Sequence, residues 1–323
     1  MRPLLALLAF LLASPLAAAQ GYPGGTVRIV VPYAAGGGTD TIARLVSQRL
    51  SEIWKQPVIV ENRPGANAML GTDVVAKAKP DGLTLGLVIA TQAINPSMYL
   101  KLPYRVTDFA PVTLLAEYPF ILTVTPSLPA RTAAEFIALA KAKPGAITFA
   151  SSGIGSGPHL GVELLKQRAG IDLLHVPYKG AGPANTDLIA GHVQMFFNNL
   201  LAAGQMIQGG QLRALAVTSL KRSPALPEVP ALSELLPGFA VTGWYGLVAP
   251  AQTPVAIIDK IQNDVAQVLR DDKIRANLAG DGAVPIASTP EEFRLFLASE
   301  TEKWAAAIKA SGATEPPKKV AAE

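Results

Sequence analysis

The sequence predicts an α/β protein of two lobes, each built on a mainly parallel sheet, with a hinge of crossing strands between them. Three observations predict it. Short apolar runs alternate with amphipathic helical patterns along most of the chain, which is the signature of βαβ units. Twice a glycine-rich turn, "AAGGGTD" and "SSGIGSGPH", stands between a strand pattern and a helix pattern. Two extended runs, "EYPFILTVTP" and "TGWYGLVAP", have no helix of comparable length directly before them and bracket a central block from about Pro126 to Gly243. Strands crossing between lobes at those two places leave a cleft; two ordinary strands of one large sheet are the alternative.

The elements follow in order. Residues 1–19 read as a secretory signal peptide: Arg2, an apolar core from Leu4 to Leu12, and Ala17-Ala18-Ala19 ahead of an expected mature start at Gln20. That core is too short to be a comfortable membrane span, and no Cys follows it to carry a lipid. The strand pattern "VRIVVPY" then runs into the triple glycine and a helix expected from Thr39 to Trp54. "PVIVEN", a helix from Met69 to Lys79, and "LTLGLVIA" continue the alternation, and "FILTVTP" makes the first crossing. In the central block the helices are Ala133 to Lys143, His159 to Ala169, Pro183 to Gly191 and Leu200 to Gln208. The strands around them are "AITFAS", "DLLHVPY", "VQMFFN" and "LRALAVT". After "WYGLVAP" come helices from Pro254 to Arg270, Asp272 to Ala279 and Pro290 to Ser311, the last opened by Thr289 as N-cap and Glu292 at the capping-box position. Residues 313–323 lack apolar periodicity and are expected to be disordered. The first lobe is expected at 20–124 plus 244–288 and the second at 125–243 plus 289–312. Trp244 falls at the second crossing, with Trp54 and Trp304 expected on helices remote from the hinge.

Composition excludes several classes. The chain has no cysteine, so it forms neither disulfides nor thiolate metal sites. His159, His175 and His192 lack metal-ligand spacing, and neither metal nor cofactor is expected. The net charge is +4, or +3 without Arg2, and basic runs are absent apart from the tail, which argues against nucleic acid and suits small anions. After the leader no stretch has the apolar length of a membrane span, so a soluble, exported protein is expected.

The two glycine loops carry the expected chemistry. Bare backbone N–H groups at Gly36, Gly37 and Gly38 stand at a helix start, where four donors are unpaired and the dipole is positive, so an anion is the expected guest. A plain tight turn is the alternative. The G-x-G-x-x-G and P-loop spacings are absent, and Asp40 would repel a polyphosphate unless it pairs with Arg44, as the i+4 spacing predicts. The second loop offers Ser151, Ser152, Ser156, the N–H groups near Gly155 and Pro158 as a first helical residue. Ser156 and His159 could be read as nucleophile and base, but neither a nucleophile elbow nor an orienting acid accompanies them. Tyr178, Lys179, Asn198 and Asn199 end strands, where ligands of parallel sheets collect; a solvated Lys179 and capping Asn residues are the alternative.

The motifs "VPYAAGGGTDTIAR", "VIVENRPGANAMLGTDVVAKAKPDGLTL", "INPSMYLKLPY", "SGPHL", "HVPYKGAGPA", "LRALAVTSLKRSPALPEVPALSE" and "GWYGLVAP" closely resemble the periplasmic receptors of tripartite tricarboxylate transporters, the Bug-type or TctC-like family, from about Tyr22 to Gly312. The resemblance implies a type II periplasmic binding protein of the Venus-flytrap kind. It implies a small carboxylate ligand (a dicarboxylate, tricarboxylate or aromatic acid), inner-membrane transporter subunits as partners, and a monomer. Carried to matching positions, it places one carboxylate between Tyr33, Ala34, Ala35, Gly36, Gly37 and Thr39 on one side and Ser151, Gly155, Ser156 and His159 on the other. The far end of the ligand is then expected at Thr91, Tyr178, Asn198, Asn199 and Trp244. The family commonly has Asp at Asn198 and often His at Gln92; Asn198 cannot pair with an ammonium, so an amino-acid ligand is disfavoured. An exported serine hydrolase, a receptor feeding a signalling system and a secreted scaffold are the rival readings.

Overall fold

In a computed structural model the chain is described over residues 21–35, 38–178, 180–280 and 282–311. The expected signal peptide with its cleavage point before Gln20, the site residues Gly36 and Gly37, Lys179 and the tail at 313–323 lie outside the described residues. The first stretch of chain gives β1 (Val27–Val31), α1 (Gly38–Trp54), β2 (Val58–Asn62), α2 (Met69–Ala76), β3 (Thr84–Val88), α3 (Thr91–Met98) and β4 (Phe109–Pro119). The central block gives β5 (Ile121–Val124), α4 (Ala133–Ala142), β6 (Thr148–Ser151), α5 (Gly157–Ala169), β7 (Leu174–Pro177), α6 (Ala181–Ala190), β8 (Met195–Asn198), α7 (Leu200–Gln208) and β9 (Arg213–Val217). The chain closes with β10 (Thr242–Pro250), α8 (Val255–Leu269), α9 (Asp272–Gly280), β11 (Val284–Pro285) and α10 (Pro290–Ser311).

Two sheets result, in the orders β11-β4-β10-β3-β1-β2 and β7-β6-β8-β5-β9. The strands of the βαβ units pair in parallel, and those that connect the lobes pair antiparallel to them: β10 with β3 and β4, and β5 with β8 and β9. Each sheet is therefore mixed rather than mainly parallel. The reason is directional: a strand arriving from the other lobe enters its sheet at the cleft end and runs away from it. β1 and β3 are buried nearly end to end because helices cover both faces of the sheet. α1 turns Ile42, Ala43, Val46, Leu50 and Trp54 into that core.

The crossings sit a few residues from their expected places. β5 pairs within the second sheet, so the first boundary falls at Phe120 rather than after residue 124. Thr242 and Gly243 already pair with β4 in the first sheet, which moves the second boundary to about Val241. Thr218, fully buried, ties the two together: Phe120 N–H donates to its Oγ1 at 2.8 Å, its own N–H donates to Phe120 O at 2.9 Å, and Val241 N–H donates to its carbonyl at 2.9 Å. The final helix also departs from expectation. The sequence places it with the second lobe, but α10 packs chiefly on α3 and β4 of the first and only then on α5 of the second. Phe293 and Phe296 meet Trp244 edge to face there, and Trp304 is fully buried. Trp304 is consequently not remote from the hinge: the indole N–H groups of Trp244 and Trp304 both donate to Glu300 Oε2, at 3.0 and 2.9 Å. The capping box that opens α10 is formed, with Thr289 N–H on Glu292 and Glu292 N–H on Thr289.

Candidate functional site: a cleft ringed by helix starts

The strand order fans helix starts outward from the crossings in both lobes. α3, α1 and α2 follow β3, β1 and β2, while α7, α5 and α6 follow β8, β6 and β7. All six open on one cavity of about 950 Å³, which is lined by Thr91, Thr39 and Ala68 from one lobe and by Asn199, Gly157 and Ala181 from the other. Each start leaves backbone donors without helical partners and carries the positive end of a dipole. Among the described residues that line the cavity, none carries a formal charge. Asp40, in the first turn of α1, turns aside to Arg44 at 2.9 Å, as its spacing predicts, and also accepts from Asn62 at 3.0 Å.

The expected site residues divide. Tyr33, Ala34, Thr39, Thr91, Ser156, Asn199 and Trp244 line the cavity, while Ala35, Ser151, Gly155, His159, Tyr178 and Asn198 do not. Tyr33 and Thr91 join hydroxyl to hydroxyl, and burial pushes the Tyr33 phenol far above its ordinary pKa, so it stays neutral. Ser156 caps α5: its Oγ donates to Gly153 O at 2.7 Å and accepts from His159 N–H at 3.4 Å. Asn199 caps α7 by accepting from Ala202 N–H at 2.7 Å. Trp244 borders the cavity, yet its indole is fully buried under α10.

The remaining residues build the walls. His159 Nδ1 accepts from Gly155 N–H at 3.1 Å, so its ring faces the loop backbone rather than Ser156. Ser151, fully buried, binds His175 Nε2 at 2.6 Å, and His175 stacks on His159 at 4.0 Å and on Phe149 at 4.7 Å. This column supports the Gly153 to Gly155 turn from behind and does not form a nucleophile and base at the cavity. Tyr178 donates to Asp187 at 2.6 Å, with its pKa raised to about 12 by burial and that carboxylate. Asn198 is buried and donates to Asn185.

Burial, then the His175 and Lys166 charges, holds His159 down to about 3; burial, then Lys166, holds His175 down to about 4. Below about 6.5 the unfolded chain therefore binds protons that the folded chain refuses. This stability contribution should be complete above pH 6.5 and should fall as the pH drops toward 4, as measured by urea unfolding at a series of pH values. His175→Asn should flatten the fall; an unchanged slope would show that the histidine column does not cause it.

Several lining residues escaped the sequence reading. The loop Gly65, Ala66, Asn67 and Ala68 lines one wall with four successive positive φ angles, of 133°, 47°, 50° and 72°. Buried Asn95 holds it there, donating to Asn67 O at 2.9 Å and accepting from Asn67 Nδ2 at 3.0 Å. The "RPGANA" composition signals a turn but not its direction. Tyr118, Phe120 and Tyr245 form an aromatic floor at the crossings. Among the described residues no group of three or more His, Asp or Glu could hold a metal ion, and no helix is long and apolar enough to cross a membrane.

Over residues 42–313 the chain matches the family described as Tripartite tricarboxylate transporter family receptor. It is 36% identical over 306 residues to Protein BugT of Bordetella pertussis, covering 94% of each chain. Its structure is similar to that of R. palustris Rpa4515 with adipate, with a TM-score of 0.83 and 34% identity, over 90% of this chain and 98% of that one. It is similar also to MatC (Rpa3494) from Rhodopseudomonas palustris with bound malate, with a TM-score of 0.77 and 32% identity, over 89% of this chain and all of that one (100%).

Proposed function

The chain belongs to the tripartite tricarboxylate transporter family of periplasmic solute-binding receptors, which are not enzymes, and from that premise we propose that its cleft captures a small carboxylate for inner-membrane transporter subunits. The observation that carries the reading is the ring of helix starts around a lining whose described residues bear no formal charge. Donors and positive dipole ends from both lobes favour an anion. A cationic group would meet no carboxylate among the described lining residues, which disfavours amino acids and amines. Two similar structures hold adipate and malate, both carboxylates. The ligand bridges the lobes, so its binding favours the closed form.

Mass spectrometry of the small molecules released on denaturing freshly purified protein should identify a carboxylic acid. Thermal-shift screening should rank acids above their methyl esters and amides, because esterification removes the charge that the helix starts favour. Equal shifts for an acid and its ester would sink the carboxylate reading.

A further inference from the structure

Behind the aromatic floor, on the β11 side of the crossings, lies a second, smaller cavity of about 250 Å³. Glu117, Pro119, Lys221, Arg222, Thr242 and Val284 are among the residues that line it. Among the described residues Tyr118 alone borders both this space and the cleft. Its ring occupies the place of a missing side chain: a Cβ on Gly243 would lie 2.1 Å from Tyr118 Cζ, so the ring rests directly on the bare backbone of the second crossing. Tyr245 lies against it at 5.0 Å and 32°, and Phe120 meets it edge to face at 5.7 Å. Held on three sides, the ring stands between a cleft whose described lining residues carry no formal charge and a pocket lined by Lys221, Arg222 and Glu117.

We propose that Tyr118 is the end wall of the cleft and sets the length of the acid it accepts. The proposal rests on the carboxylate reading. An acid anchored at the helix starts extends over Phe120 and Tyr245 until it meets this ring, and each further methylene must fold back or stay in water rather than be buried. Removal of the ring joins the two cavities and brings the far end of a long diacid toward the lysine and arginine side chains.

The test is calorimetry of the wild type, Tyr118→Ala and Tyr118→Phe with the straight-chain diacids from malonate to sebacate, at fixed salt and pH. The wild type should bind best at one chain length and lose affinity beyond it. Tyr118→Ala should move that optimum to longer chains, improving the longer acids relative to the shorter by at least about tenfold. Tyr118→Phe should keep the wild-type order. Tyr118→Leu, a smaller plug, should shift it in the same direction by less, and it serves if the alanine variant does not fold. An unchanged length order in the truncated variants, a uniform loss at every length, or a phenylalanine variant that shifts like alanine overturns the wall while leaving carboxylate binding intact. If the wild type and the variants bind none of the acids, the carboxylate reading fails and the wall with it.

Discussion

Asn199→Asp should abolish most ligand binding without weakening the protein. Asn199 caps α7 through its side-chain oxygen and faces the cleft, so the substitution changes almost nothing but charge. Aspartate caps as well as asparagine, and at a helix start its charge is favoured, so the unfolding midpoint should stay or rise. The same charge then faces the ligand with no described cation in the lining to offset it. Two like charges at roughly 6–8 Å, at an effective dielectric of about 20, repel by about 2 to 3 kcal/mol, or roughly 30- to 150-fold in affinity. Asn199→Ser keeps a cap without the charge and should stay close to the wild type. Calorimetry on the three proteins decides: an aspartate variant that binds as tightly as the serine variant would mean that the guest is not an anion near α7.

The second large effect is on stability and concerns Glu300. Its side chain is 6% exposed, and one of its oxygens accepts both indole N–H groups while the other takes Lys303. Glu300→Ala leaves two buried donors unpaired beside a new void and should cost about 3–5 kcal/mol in urea unfolding. Glu300→Gln keeps an acceptor for the indoles and should cost about 1 kcal/mol. Glu117, raised above its ordinary pKa by burial and then by Glu300, is relieved of that neighbour in both variants. If alanine proves no worse than glutamine, the shared acceptor is not what fixes α10 to the crossing strand.

The alternation of strands and helices and the Gly153 to Gly157 loop were legible in the sequence because each rests on periodicity or on a residue type. Three elements were not. α3 carries Pro96 in its interior, which reads as a break, β4 is interrupted by Pro111 and ends in Glu117, Tyr118 and Pro119, and β11 is only Val284 and Pro285, too short for any alternation to show. The site residues illustrate a subtler limit. Ser151 and Asn198 end β6 and β8 and turn into the protein, while their successors Ser152 and Asn199 line the cleft. Successive side chains on a strand face opposite ways, so an assignment off by one residue exchanges a wall support for a contact. Resemblance locates the loop, but the parity of the last strand residue decides which side chain faces the cleft. Trp244 belongs with them, since it stands at the cleft's edge while the residue is fully buried and its indole N–H is committed to Glu300.

The neutral lining has a consequence for how the receptor responds to its surroundings. The described lining residues include no group that titrates near neutrality, and Tyr33 is pushed still further from it. Filling the cleft therefore exchanges no proton with these side chains, and acidity acts on occupancy through the guest. As the medium approaches the pKa of an acid, that acid loses the charge the helix starts select, and its share of the binding sites falls. Two acids of different strength would then exchange rank between neutral and acidic media, and the competition would be settled by the chemistry of the acids rather than by titration of these lining side chains.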